Sequence, residues 1–176
     1  MALVAFIRGI NVGGRRRFRP STVAEDLRRF DVVNVGAAGT FIVRKPGSRA
    51  TFVRALRQQL PFPAEIAVCS GSALVRLEEN PPFDTAPSGP DVVRFVSVLA
   101  GPARRRPSVP LNIPASREWY VRVIAKTDRF VIGTYRRHMR TIGYLGQLDT
   151  VFGAPATTRS WSTVVAIARI LRAESQ

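Results

Sequence analysis

The chain has 176 residues, with 27 Lys and Arg against 12 Asp and Glu, one His and one Cys, for a formal net charge of +15 at pH 7. That length suits one compact domain or two small ones sharing a core, and 45% hydrophobic against 22% charged residues is a globular composition. One Cys makes no internal disulfide, and one His with one Cys cannot complete a four-ligand zinc site. No apolar run approaches the roughly 18 residues of a membrane span. The opening stretch MALVAFIRGINVGG is interrupted by Arg8 and lacks the charged start and cleavage site of a signal peptide. The expectation is a reduced, cytoplasmic protein without a metal or cofactor.

Of the basic residues 25 are arginine, and only Lys45 and Lys126 are lysine. GC-rich coding explains that ratio but not the imbalance of sign, since such codons also encode Ala, Gly and Asp. A chain this basic attracts polyanions, and non-specific binding to nucleic acid at low salt follows from charge alone. The arginines group: Arg8, Arg15, Arg16, Arg17 and Arg19 near the start, Arg104, Arg105 and Arg106 between prolines, and Arg136, Arg137 and Arg140 around His138. Each group is read either as a solvated loop or as part of an anion footprint.

In chain order, Ala2–Arg8 is a short apolar strand closed by Gly9, and Asn11–Arg19 is a loop. Pro20–Phe30 is predicted helical, with Thr22 and Glu25 at capping-box spacing. Asp31–Val35 and Thr40–Arg44 read as a hairpin through Gly36–Gly39, Ser48–Leu60 as a helix stopped by Pro61, and Ala64–Cys69 as a fourth strand. A short helix, Ser70–Glu79, runs into the proline-rich stretch Pro81–Pro90. Beyond it come a strand at Asp91–Ala100 and a Pro/Arg-rich loop or broken helix at Gly101–Ser116. A hairpin of Glu118–Lys126 with Arg129–Tyr135 follows, then a helix over Arg137–Phe152 weakened by Gly143 and Gly146. The last helix is predicted over Ser160–Arg172, with Trp161, Val164, Val165, Ala168 and Leu171 on one face.

The first-half order βαββαβ is the ferredoxin-like split βαβ pattern. The expected fold is therefore α+β: a ferredoxin-like half at 1–80, a linker at 81–90, and a second α+β half at 91–176 packed on the first and readable as a degenerate ferredoxin-like repeat. The first strand is apolar on both faces, Leu3, Ala5 and Ile7 on one and Val4 and Phe6 on the other. A split βαβ sheet covers one face with its helices, so the other face needs the second half, a ligand or a partner.

Phe6-Ile7-Arg8-Gly9-Ile10-Asn11-Val12-Gly13-Gly14 resembles the opening of a bacterial family of uncharacterised proteins, the domain-of-unknown-function 1697 family. Ala156-Thr157-Thr158-Arg159-Ser160-Trp161-Ser162-Thr163-Val164 and Asn80-Pro81-Pro82-Phe83 are similar to later segments of that family. The resemblance spans essentially the whole chain and implies an α+β fold built of ferredoxin-like units; it carries no known activity. The chain departs from the family where Ala37-Ala38-Gly39-Thr40 stands for a Ser-Gly-Asn turn. It departs again where Arg137-His138-Met139-Arg140 stands for a polar Arg-Ser-Lys-Leu-like segment, so a site using those positions is altered here.

Two segments are candidates for chemistry. Asn11, Gly13 and Gly14 followed by Arg15, Arg16 and Arg17 form a glycine turn between a strand and a helix, where backbone N–H groups and guanidinium forks can hold a phosphate. It has neither a Gly-Lys-Ser/Thr nor a G-x-G-x-x-G pattern. Arg8, at the end of a buried strand, needs an anionic or carbonyl partner. Thr157, Thr158, Arg159 and Ser160 precede a helix, either as its cap or as a second set of anion donors. Phe6 and Phe41 lie where an RNA-recognition sheet carries stacking aromatics, but core packing is the simpler role. Cys69 with His138, and the acids Glu78, Glu79 and Asp84, offer no catalytic context. The leading reading is a non-enzymatic binder of nucleic acid or a phosphate-bearing ligand through an arginine-rich face. The alternatives are an enzyme or small-molecule binder with its anionic ligand between the halves, and a homo-oligomer formed on an open sheet face.

Overall fold

The computed structural model describes residues 1–10, 18–116 and 118–173. It is α+β, with two antiparallel sheets of four and five strands. Two compact units are formed, one by Met1–Leu77 together with Val165–Gln176 and the other by Glu78–Val164. The division groups the C-terminal part of the last helix with the first unit, whereas the sequence reading kept 91–176 together. Among the described residues no helix is long and apolar enough to cross a membrane.

In the first unit β1 (Leu3–Ile7), α1 (Pro20–Asp26), β2 (Val32–Asn34), β3 (Thr40–Val43), α2 (Arg49–Gln59), β4 (Ile66–Ser70) and α3 (Gly71–Glu79) follow one another. The sheet order β2-β3-β1-β4 is that of the split βαβ pattern. Ala5, Ile7, Phe41, Val43, Ile66 and Val68 meet Val23, Leu27, Phe52 and Leu56 of the helical segments in one core. The alternate residues Val4, Phe6, Ile42, Ala67 and Cys69 are buried too. Phe6 and Phe41 are therefore core residues, and neither offers a face to a nucleic-acid base.

Local rules account for the helix ends. The Ser48 hydroxyl accepts the Thr51 N–H at 3.1 Å and caps α2. Ser48→Ala is expected to cost about 1 kcal/mol, read as a lower urea midpoint; an unchanged midpoint would show the cap to be idle. α1 differs from its predicted form. Its N-cap is Arg19 with no side-chain bond and Pro20 in the first turn, so Thr22 lies inside the helix, and Arg28–Phe30 is a separate 3-10 turn.

The second unit contains β5 (Val92–Leu99), β6 (Leu111–Ile113), β7 (Val121–Lys126), β8 (Phe130–Arg136), α4 (Thr141–Gly146), α5 (Leu148–Phe152) and β9 (Ala156–Ser160). It also holds the start of α6 (Trp161–Ala173). Its order is β6-β7-β8-β5-β9. Leaving out the edge strand β6, this is again second-third-first-fourth, with a helix directly after the fourth strand. Phe95, Leu99, Val121, Val123 and Val131 pack against Leu148 and Phe152.

Three expectations are corrected here. The Pro/Arg-rich segment contains β6, because Leu111 and Ile113 alternate inward and find an edge at β7. The long helix over Arg137–Phe152 is two short ones. Thr157–Ser160 is part of strand β9, registered on β5 from Leu99↔Ala156 to Phe95↔Ser160, so that only Ser160 directly precedes the helix.

Candidate functional site

Of the residues singled out from sequence, Asn11, Gly13, Gly14, Arg15, Arg16 and Arg17 lie outside the described residues. Arg8 follows β1 in the first unit, and its backbone N–H donates to the Glu65 carbonyl at 3.0 Å. Thr157, Thr158, Arg159 and Ser160 lie in the second unit on β9, where alternation separates them. Thr158 shares a 2.6 Å hydroxyl bond with Ser97 and is committed to the sheet. Thr157 is buried. Arg159 sits on the face opposite Thr158 and donates to the Thr158 carbonyl at 2.9 Å. Burial pulls its guanidinium down to about 10, leaving it cationic at neutral pH. Ser160 is the member that reaches an open site.

That site is a pocket of about 310 Å³ at the β9–α6 junction, bordered by Ser160, Trp161, Ser162, Arg94, Arg137 and the turn at Gly89. Ser160, the residue just ahead of the 13-residue helix α6, shares a 2.9 Å hydroxyl-to-hydroxyl bond with Ser162 in the first turn of that helix. Arg94 is held from behind: its guanidinium carbon lies 4.9 Å from the Phe83 ring centre, and Phe83 in turn meets the Trp161 ring edge-on at 4.9 Å. The Arg137 backbone N–H donates to the Asp91 carbonyl at 2.7 Å, anchoring that residue at the rim. Among the described residues no carboxylate is paired with Arg94 or Arg137. Two cations, two hydroxyls and a helix start in one opening can hold an oxyanion and have little use for a cation or an apolar group.

A larger opening, about 750 Å³, occupies the corresponding place in the first unit, beside Gly71, Ser72, Arg44 and Arg172. There Arg44 is already paired with Asp31 at 3.2 Å. The second-unit pocket is the better anion candidate for that reason.

No protein-family model matches the sequence, and no curated protein matches it. The chain is similar in structure to a conserved bacterial protein of Streptococcus pneumoniae, with a TM-score of 0.62 over 97% of this chain and 98% of that one, at 15% sequence identity. At that identity the likeness is one of fold, and it shows the α+β architecture.

The remaining sequence candidates fall into structural roles. Arg106 pairs with Asp128 at 2.9 Å and Arg105 donates to the Thr150 carbonyl at 3.0 Å. The backbone N–H groups of Arg104 and Arg105 both reach the Phe152 carbonyl. This cluster fastens the proline-rich segment onto α5, so its cations are partly engaged internally. Cys69 is buried in β4, whereas His138 lies in an exposed turn against Tyr120, 4.9 Å between ring centres. Among the described residues no group of His, Cys, Asp and Glu could hold a metal ion.

Sequence reading missed Arg94 and placed Arg137 only in a charge cluster. Arg94 was legible as the single charge inside an apolar strand, and Phe83 in Asn80-Pro81-Pro82-Phe83 as an aromatic outside any predicted element.

Proposed function

We propose that this chain is a non-enzymatic, cytoplasmic binder of an anionic partner whose recognised group is a phosphate, on nucleic acid or on a smaller ligand. One observation carries the reading: Arg94 and Arg137 border one pocket with Ser160 and Ser162, and neither arginine is paired with a carboxylate among the described residues. The net charge of +15 supports it by raising the local concentration of any polyanion. Kinship with the domain-of-unknown-function 1697 family is proposed on the end motifs Phe6–Gly14 and Ala156–Val164, and adds no activity.

The test is the anisotropy of a labelled single-stranded oligonucleotide titrated with protein over a series of salt concentrations. Log affinity is expected to fall linearly with log salt. Arg94→Gln and Arg137→Gln together are expected to weaken binding at least about tenfold and to flatten the slope by about one per lost phosphate contact. No anisotropy change at low salt, or a double variant that binds as the parent does, rejects the proposal.

A further inference from the structure

The second sheet carries another basic feature, made by none of the residues that border the pocket except through a shared neighbour, Arg94. Strand register places Thr134 of β8 opposite Arg122 of β7 on one side and Arg94 of β5 on the other. Arg136 lies two residues further along β8, on the same face because side chains alternate with period two. Asn112 of β6 faces Arg122 and ends the row.

Thr134 is fully buried, and its hydroxyl oxygen has no hydrogen-bond partner. The Nε atoms of Arg122 and Arg136 are likewise buried without an acceptor. These are three of the orphaned buried polar side-chain atoms among the described residues, and they lie on one patch of one sheet face. Orphans of this kind are uncommon because each forfeits its bonds to water. Like charges on neighbouring strands also repel. No carboxylate relieves them, since among the described residues none is paired with Arg122 or Arg136. Arg136 is nonetheless held, with its guanidinium carbon 4.6 Å from the Trp119 ring centre.

A single group would answer all three of these polar atoms. An oxyanion accepts from the guanidinium forks of Arg122 and Arg136 and from the Thr134 hydroxyl, and neutralises the repulsion at the same time. A neutral ligand would leave the charges opposed, and a cation would add to them. We infer that this patch is an oxyanion subsite for a phosphate group, free or as a monoester, held by Arg122, Arg136 and the hydroxyl of Thr134.

The test uses the full chain and inorganic phosphate, with sodium chloride at matched ionic strength as the control. Thermal denaturation is expected to show a higher midpoint in phosphate than in chloride, and calorimetric titration a saturable site. Thr134→Val, of nearly the same shape, removes the orphaned hydroxyl. It is expected to raise the phosphate-free midpoint while weakening phosphate affinity about tenfold, the loss of one charge-assisted bond. Arg122→Gln is expected to weaken it by at least as much, and Thr134→Ser, which keeps the hydroxyl, to restore it. Arg54→Gln, an exposed arginine on α2, is the control for loss of one charge. Equal midpoints in phosphate and chloride, or equal weakening by Arg54→Gln and Arg122→Gln, overturns the subsite. Should Thr134→Val not fold, Thr134→Ser and Arg122→Gln decide the matter between them. Adenosine monophosphate in a parallel titration separates the two sources: competition with phosphate assigns the monoester, and its absence the free ion. Oligonucleotide binding is read separately by its salt slope, so failure there leaves this result standing.

Discussion

Gly133→Ala is expected to destabilise the protein by at least about 3 kcal/mol, at the upper end of what overpacking costs. A Cβ on Gly133 would lie 2.1 Å from the Arg122 carbonyl oxygen and 3.0 Å from the Arg122 carbonyl carbon and the Val123 Cα. All three are backbone atoms of the adjacent strand, so no side-chain rotation relieves the clash. β8 cannot retreat either, since Gly133 is registered on Phe95 of β5 along its other edge. The close approach sits beside the register shift between Val123 and Ala125, where β7 bends towards its neighbour. Urea denaturation is the measurement, and Gly101→Ala is the control, because a Cβ there meets nothing within 4 Å. A Gly133→Ala loss below about 1 kcal/mol would mean that β7 can shift away, and the register that aligns Arg122 with Thr134 would be wrong with it.

Phe95→Ala is expected to cost about 3–5 kcal/mol, the usual range for deleting a fully buried aromatic ring. Phe95 has no exposed surface and lies on the interior strand β5, between β8 and β9. It shares one buried core with Val121, Val123 and Phe152, and its ring centre is 6.0 Å from that of Tyr135. Phe95→Leu retains most of the volume and is expected to cost under half as much. The comparison bears on function because Arg94, the preceding residue, projects to the opposite face. Arg94→Gln is expected to change oligonucleotide affinity with little change in stability, whereas Phe95→Ala changes stability first. If Phe95→Ala leaves the denaturation midpoint within about 1 kcal/mol of the parent, the helix-covered face of the second sheet has been assigned to the wrong side of β5.

The alternating or continuous apolar runs were enough to find β1, β3, β4, β5, β7 and β8. Ser48 and Pro61 were enough to bracket α2, since a cap and a breaker act over a few residues. β9 was missed because Thr157-Thr158-Arg159-Ser160 reads as a polar cap: Thr158 fits only because Ser97 answers its hydroxyl across the sheet. β6 was missed because Leu111-Asn112-Ile113 has strand character only once β7 supplies a partner. The site shows the same division. Ser160 was found by its place before a helix, whereas Arg94, Arg122 and Thr134 come from three separate segments and share no local pattern.

The amino-acid order alone therefore determined the charge, the α+β class, the split βαβ unit and which residues alternate along each strand. Those depend on side-chain chemistry and on periods of two and 3.6 residues, which are local. Which arginine stands beside which hydroxyl was decided only in the tertiary structure. Strand register follows from packing both faces of the sheet at once, and a slip of one residue would exchange every inward and outward side chain.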